Sequence, residues 1–376
     1  MADVRKAFHL ELIKPSHYDD DGYVIQWWKA WIPSNSLSSV YGLAQAVGES
    51  GELGDVDLRI NACDETNTIV PIEAIARRIQ AEGNRGLVCL VGVQSNQFPR
   101  AMDMARELRS HDRDRYLACL FAPAARREAL FALYAFNLEV ARTAEAVSEA
   151  MLGRIRLQWW REALDEIYDG RPRRHEVAVP LAEAVRAHGL TRAYFERLID
   201  AREFDLEKQA PQNLSRLEAY AEATSAGLLQ LALEVLGVED EASRTAGRHV
   251  GVAWALTGLL RAVPFHARHR RLYLPRDASA AAGLDPDRLF ALRAPPGLAE
   301  VVGQVAARAR EHLAEARALR PRVAKAALPA LLPAALAARD LSVLARAGLD
   351  PFRPEVQTAA PLRVWRLAWA HLLRRY

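Results

Sequence analysis

The sequence predicts a mainly α chain: an all-α domain over residues 111–376, preceded by a partial three-stranded α/β segment over residues 1–110. Three observations carry this. Short apolar runs alternate with helical stretches up to about Ser110. From Asp112 onward apolar residues recur at spacings of three and four. No strand-like alternation of useful length follows. With 376 residues, 51% of them hydrophobic, the chain holds material for two or three domains with real cores.

In the first segment, "AFHLELI", "VDLRINA" and "GLVCLVGV" are apolar runs of strand length. Helical stretches lie between and after them, at Leu37–Val47, Pro71–Ala81 and Arg100–Leu108, and Pro71 suits a first helical turn. The order βαβαβα predicts a parallel sheet with crossover helices. It stops after three strands, where a doubly wound domain has five or six. In the second segment, "REALFALYAFNLEVA", "IRLQWWREALDEIY", "LLQLALEVLG" and "VVGQVAARAREHLAEARAL" show helical periodicity. Gly153, Gly170–Pro172, Gly189, Gly237, Pro275, Pro286 and Pro295–Gly297 punctuate it, which predicts eight to ten helices.

The formal charge of +3 is uneven: residues 1–110 carry net −4 and the remainder net +7. Such a surplus suits an anionic ligand or a lipid surface and is too weak for nucleic acid. Cys63, Cys89 and Cys119 lack CxxC spacing and read as buried thiols in a reducing compartment. The N-terminus lacks the apolar core of a signal peptide. The longest apolar runs, Val250–Leu260 and Ala326–Ala338, fall short of the roughly 20 residues of a spanning helix. A cytoplasmic protein is expected, either free or peripheral on the inner face of the membrane.

Several residue pairs resemble metal ligands by spacing alone. His17 with Asp19–Asp21 reads as solvated turn chemistry. Glu145 with Glu149, and Asp165 with Asp169, are i,i+4 pairs expected on solvated helix faces. Asp200 and Asp205 are five apart and do not share a face. His266 and His269, with His249 upstream, read as surface groups rather than a transition-metal site.

Four stretches in order, "YLACLFAPAARREALFALYAF", "IRLQWWREALDEIYDG", "GVAWALTGLLRAVPFHARHRRLYLP" and "ARAGLDPFRPEV", resemble the squalene/phytoene synthase family. The resemblance implies an all-α isoprenoid-synthase fold around a deep apolar cavity. Tyr134, Phe136, Trp159, Trp160 and Tyr220 are candidates to line it. It also implies two Asp-rich motifs whose carboxylates hold Mg²⁺ against a diphosphate leaving group. At the first motif this chain reads Ala141, Arg142, Thr143, Ala144, Glu145, and at the second Ala262, Val263, Pro264, Phe265, His266. No catalytic residue and no metal ligand is therefore expected. "TGLLRAVPFHARHRRLYLP" and "LIDAREFDLE" are similar to the non-catalytic branch, which includes a mitochondrial factor needed to assemble respiratory complex I.

That branch implies a prenyl or phospholipid ligand, complex I assembly intermediates as partners, and no cofactor. The alternative is an active head-to-head prenyl-diphosphate transferase of the squalene or phytoene synthase type, which would require Mg²⁺. Arg261, Arg268, Arg270 and Arg271 are candidate anion or lipid ligands, since no acidic residue lies between Ala242 and Arg276. Their burial would be costly unless an anion or a distant carboxylate pairs with them. The terminal "PLRVWRLAWAHLLRRY" predicts an amphipathic helix that either lies at a headgroup interface or packs onto the bundle. Residues 5–109, with "LIKPSHYDDDGYVIQWWKAWIPSNSLSSVYGLA" and "VGVQSNQFPRAMDMARELR", resemble a truncated cobalamin-binding domain of radical S-adenosylmethionine enzymes. The missing later strands imply an inherited fragment rather than a working cobalamin site.

Overall fold

The computed structural model describes residues 6–14, 35–50, 53–54, 56–64, 68, 70–81, 85–90, 112–147, 149–207, 209–358 and 363–376. The chain divides into two units, Met1–Asp103 and Met104–Tyr376. His17 and the Asp19–Asp21 run lie outside the described residues, as does the expected helix at Arg100–Leu108.

The first unit carries three parallel strands, β1 (Lys6–Lys14), β2 (Val56–Asp64) and β3 (Gly86–Leu90), in the order β2-β1-β3. Helix α1 (Asn35–Glu49) follows β1 and α2 (Ile72–Ala81) follows β2, as the alternating pattern predicts. β1 pairs Lys6 with Val56 and Leu12 with Ala62 on one side, and His9 with Gly86 and Ile13 with Leu90 on the other. A central strand of this kind is buried on both faces. Leu12 and Leu37 form its core with Leu10, Ile60 and Cys89. Glu11, also buried on β1, is held by Arg78 of α2 at 3.0 Å and by Asn61 at 3.0 Å. Burial of that carboxylate is tolerable because both oxygens are hydrogen-bonded.

The second unit is all helix among its described residues: α3 (Arg113–Cys119), α4 (Ala124–Ala141), α5 (Ala150–Tyr168), α6 (Ala178–His188), α7 (Arg192–Ala201), α8 (Leu214–Ala221), α9 (Gly227–Val235), α10 (Glu241–Arg261), α11 (Val263–Arg268), α12 (Arg276–Ala281), α13 (Pro286–Phe290), α14 (Leu298–Ala318), α15 (Leu328–Leu331), α16 (Pro333–Arg346), α17 (Pro354–Gln357) and α18 (Arg363–Leu372). This exceeds the eight to ten predicted, because the prolines and glycines cut off short helices of four to six residues such as α11, α13 and α17. Asp112, Asn213 and Asp240 cap α3, α8 and α10 with side-chain acceptors.

Helix α10 is the central staff, packed against α9, α14, α16 and a π-helical turn at Glu222–Ala226. Close approach there needs Gly251, since a Cβ at that position would lie 2.4 Å from the Ala226 Cα. Gly297 opens α14 with φ +79°, and a Cβ there would lie 2.2 Å from the Ala282 carbonyl oxygen. Phe136, fully buried, meets Trp160 and Phe195 edge-on at 5.1 and 5.2 Å. Among the described residues no single helix is long and apolar enough to cross a membrane. Cys119 is buried, as expected, whereas Cys63 and Cys89 are only partly so.

Candidate ligand site at the junction of the two motif segments

Both segments that the family resemblance singles out sit at helix ends. Ala141 ends α4, with Arg142–Glu145 in the turn behind it; Ala262 joins α10 to α11, which carries Phe265 and His266. They meet through Arg271, whose Nη2 donates to the Ala144 carbonyl oxygen at 2.8 Å. Between them lies a cleft of about 260 Å³, lined by Glu145 from the first segment, Glu149 at the start of α5, His269 and Arg271 from the stretch that carries the second, and Leu206. Its carboxylates are exposed and come from one side only.

Behind the cleft is a buried polar cluster. A single 3₁₀ turn, Arg202–Leu206, follows α7 and carries Asp205 into the interior, 5% exposed. Asp205 accepts from Tyr273 Oη at 2.6 Å, from Tyr220 Oη at 2.8 Å and from Arg202 Nη1 at 3.2 Å. Arg202 Nη1 also donates to Tyr220 Oη at 2.7 Å. Burial works against the Arg202 charge, but Tyr220 and Asp205 outweigh it and its pKa is raised. Burial likewise pushes the Tyr220 and Tyr273 hydroxyls up, with the Asp205 carboxylate adding to it. The His266 ring lies 4.5 Å from the Tyr273 ring. Burial lowers its pKa to about 4, opposed by Asp205 and helped by Arg271, so the imidazole is neutral at pH 7. Among the described residues, His266 Nδ1, Arg202 Nε and Arg271 Nε are buried without a hydrogen-bond partner.

Other sequence candidates fall elsewhere. The basic stretch does not converge on one point. Arg261 pairs with buried Asp340 at 2.9 Å, Arg270 lies 3.7 Å from Asp287 and over the Phe290 ring, and Arg268 is exposed. Carboxylates from distant helices thus serve two of the four arginines, which local sequence could not reveal. Trp159 and Trp160 stack edge-on at 4.9 Å and line a shallow cleft with His175, Glu139 and Arg156; Arg173 covers Trp159. Tyr134 is buried beneath Arg115. Phe136 fills core space between Trp160 and Phe195. Asp165 and Asp200 are exposed partners of Arg192 and Arg161, and Asp169 lies 3.6 Å from Arg171. Two histidines depart from the surface reading: His266 packs on Tyr273, and His249 packs against His312 with Nδ1 atoms 2.9 Å apart.

A basic groove was not anticipated as a unit. About 750 Å³ in volume, it is lined by Arg317, Arg320, Arg339, Arg346, Arg366 and Arg375 together with Trp369, Leu373 and Tyr376. It borders α18, which packs onto the bundle through one face and leaves another in solvent. Leu367 and Ala370 are buried, while Trp365, Trp369 and Leu372, spaced i, i+4, i+7, are 64–72% exposed. Leu362 lies outside the described residues.

The squalene/phytoene synthase family model matches residues 108–369, and the chain belongs to that family. It is 36% identical over 265 residues to the NADH dehydrogenase (ubiquinone) complex I assembly factor 6 of Bos taurus, covering 70% of this chain and 80% of that protein. Among solved structures it resembles the squalene synthase HpnC of Alicyclobacillus acidocaldarius, with TM-score 0.60 and 21% identity over 67% of this chain and 95% of that one. A dehydrosqualene synthase gives TM-score 0.65 and 17% identity, over 73% and 96% of the two chains. At those identities the structures establish the all-α isoprenoid-synthase fold. The family match begins beyond the three-stranded unit, and the cobalamin-domain resemblance gains no support from it.

Local sequence does not single out Arg202 or Tyr273, and Asp205, five residues from Asp200, shares no helix face with it. The Arg-x-x-Asp spacing of Arg202 and Asp205 was the available signal. Tyr273 could be joined to it only by the fold.

Proposed function

We propose that this chain is a non-catalytic member of the squalene/phytoene synthase family that assists respiratory complex I assembly at an anionic membrane surface. The observation that carries this is the donor set of the cleft between the motif segments. Mg²⁺ takes hard oxygen ligands in near-octahedral order and bridges carboxylates to phosphate oxygens. Here one wall offers Glu145 and Glu149, and the other offers an imidazole and a guanidinium. Asp205, buried next in sequence to the cleft-lining Leu206, already accepts from two tyrosines and an arginine. That set does not fit two facing carboxylate pairs and so lacks the oxygen ligands that would hold Mg²⁺ against a diphosphate.

The similarity to complex I assembly factor 6 supports the assembly role. The basic groove and the exposed Trp365–Trp369–Leu372 stripe support a lipid surface as the place of work: arginines meet anionic headgroups and the aromatic stripe enters the interface. Deleting the gene in its own cell is expected to lower assembled complex I on native gels, with recovery on re-expression. Unchanged complex I would contradict the assembly role.

A further inference from the structure

We propose that His249, His312 and Glu315 form a binding site for a divalent transition-metal ion of the kind that favours imidazole, with Zn²⁺ as its probe. One donor atom from each residue lies within 4.8 Å of the others. His249 Nδ1 is 2.9 Å from His312 Nδ1 and 2.8 Å from Glu315 Oε2, and His312 Nδ1 is 4.0 Å from the same oxygen. Zinc held tetrahedrally at about 2.0–2.1 Å places neighbouring donors roughly 3.3 Å apart. The three observed separations bracket that value, so small side-chain rotations suffice to close the site.

The supports are rigid. His312 and Glu315 are i,i+3 neighbours on one face of α14, and His249 comes from α10, against which α14 packs. Behind the ligands, His312 Nε2 lies 2.9 Å from Glu218 Oε1. A carboxylate there accepts a hydrogen bond from Nε2–H, which keeps the proton on Nε2 and leaves the Nδ1 lone pair for the ion; it is the usual outer partner of a metal-bound imidazole. Glu218 is itself fixed by Arg308 Nε at 2.7 Å. Arg248, the other nearby cation, is engaged by Glu222 at 2.7 Å. The carboxylates of Glu218, Glu222, Glu311 and Glu315 outnumber these two arginines, so a dication is not electrostatically excluded. Glu315 is half exposed while His312 is buried, which leaves an entry path and room for a water ligand.

The competing account is a plain hydrogen-bond chain in which His249 Nδ1–H donates to His312 Nδ1 or Glu315. It requires no affinity for metal. The two accounts separate on titrating the chelator-stripped full chain with Zn²⁺ by calorimetry and with Co²⁺ by visible absorption. One ion per chain is expected, with Co²⁺ bands of tetrahedral intensity and a rise in Tm that grows with Zn²⁺ concentration. His249→Ala and Glu315→Gln should each abolish saturable binding, and the half-exposed position of Glu315 keeps that variant informative if His249→Ala does not fold. Glu218→Gln should weaken binding about 10–100-fold. His266→Ala and His269→Ala should leave it intact. No saturable binding by the parent, or parental affinity in folded His249→Ala or Glu315→Gln, would overturn the site. Neither result bears on the assembly role, which rests on other residues.

Discussion

Tyr273 donates a 2.6 Å hydrogen bond to Asp205, 68 residues earlier in the chain. The contact ties the loop after the second motif segment to the turn after α7, inside a cluster completed by Tyr220 and Arg202. Asp205→Ala would leave the Arg202 guanidinium buried without its carboxylate. A loss of about 3–5 kcal/mol in unfolding free energy is expected from urea titration. Tyr273→Phe, which removes one hydrogen bond to a charged group, should cost about 1.5–3 kcal/mol. Near-parental midpoints for both would mean that the cluster contributes nothing to stability.

Helix α10 should tolerate no Cβ at Gly251. With Ala226 Cα only 2.4 Å from the position it would occupy, backbone must move. Gly251→Ala is expected to cost about 1–3 kcal/mol by thermal or urea unfolding, the usual penalty for overpacking. No change would show that α10 and the π turn can separate freely.

Acid should destabilise the fold partly through His266. Its folded pKa of about 4 lies below the ordinary histidine value of 6.5. The unfolded chain therefore binds the proton first. The contribution is fully present above pH 6.5 and is lost as pH falls from there toward 4; its size is on the order of 3 kcal/mol. Burial lowers His188 and His249 as well, so some slope will remain in any variant. His266→Phe should flatten the stability profile between pH 6.5 and 4 relative to the parent; an unchanged slope would assign the pH dependence to other groups.

At α18, replacing Trp365, Trp369 and Leu372 by Ala should reduce co-sedimentation with anionic vesicles several-fold, because their exposed faces supply the apolar contact. Stability should change little, as these side chains already stand in solvent. Raising salt should weaken binding of the parent by screening the groove arginines. Equal sedimentation of parent and variant would argue against this face.

Much of this architecture was legible in the sequence. Periodicity placed the three strands and the long helices, and Pro71 and Gly297 marked boundaries that the structure keeps. The motif positions from Ala141 to Glu145 and Ala262 to His266 were readable by number. Their meeting through Arg271 and Ala144 was not, because a backbone acceptor leaves no trace in residue type. Long-range pairs escaped for a related reason. Arg261 with Asp340, and His249 with His312, join helices whose packing angle and rotation no local pattern encodes. In α18 the apolar residues occupy more than one face, and the structure buries Leu367 and Ala370 while Trp365, Trp369 and Leu372 stay exposed.

The claim that this chain has kept the fold without the prenyl-diphosphate chemistry is tested most directly by diphosphate release. Purified full-length protein, incubated with farnesyl or geranylgeranyl diphosphate and Mg²⁺, is expected to release no more diphosphate than a heat-inactivated sample. Time-dependent release that scales with protein concentration and disappears with chelation of Mg²⁺ would contradict it.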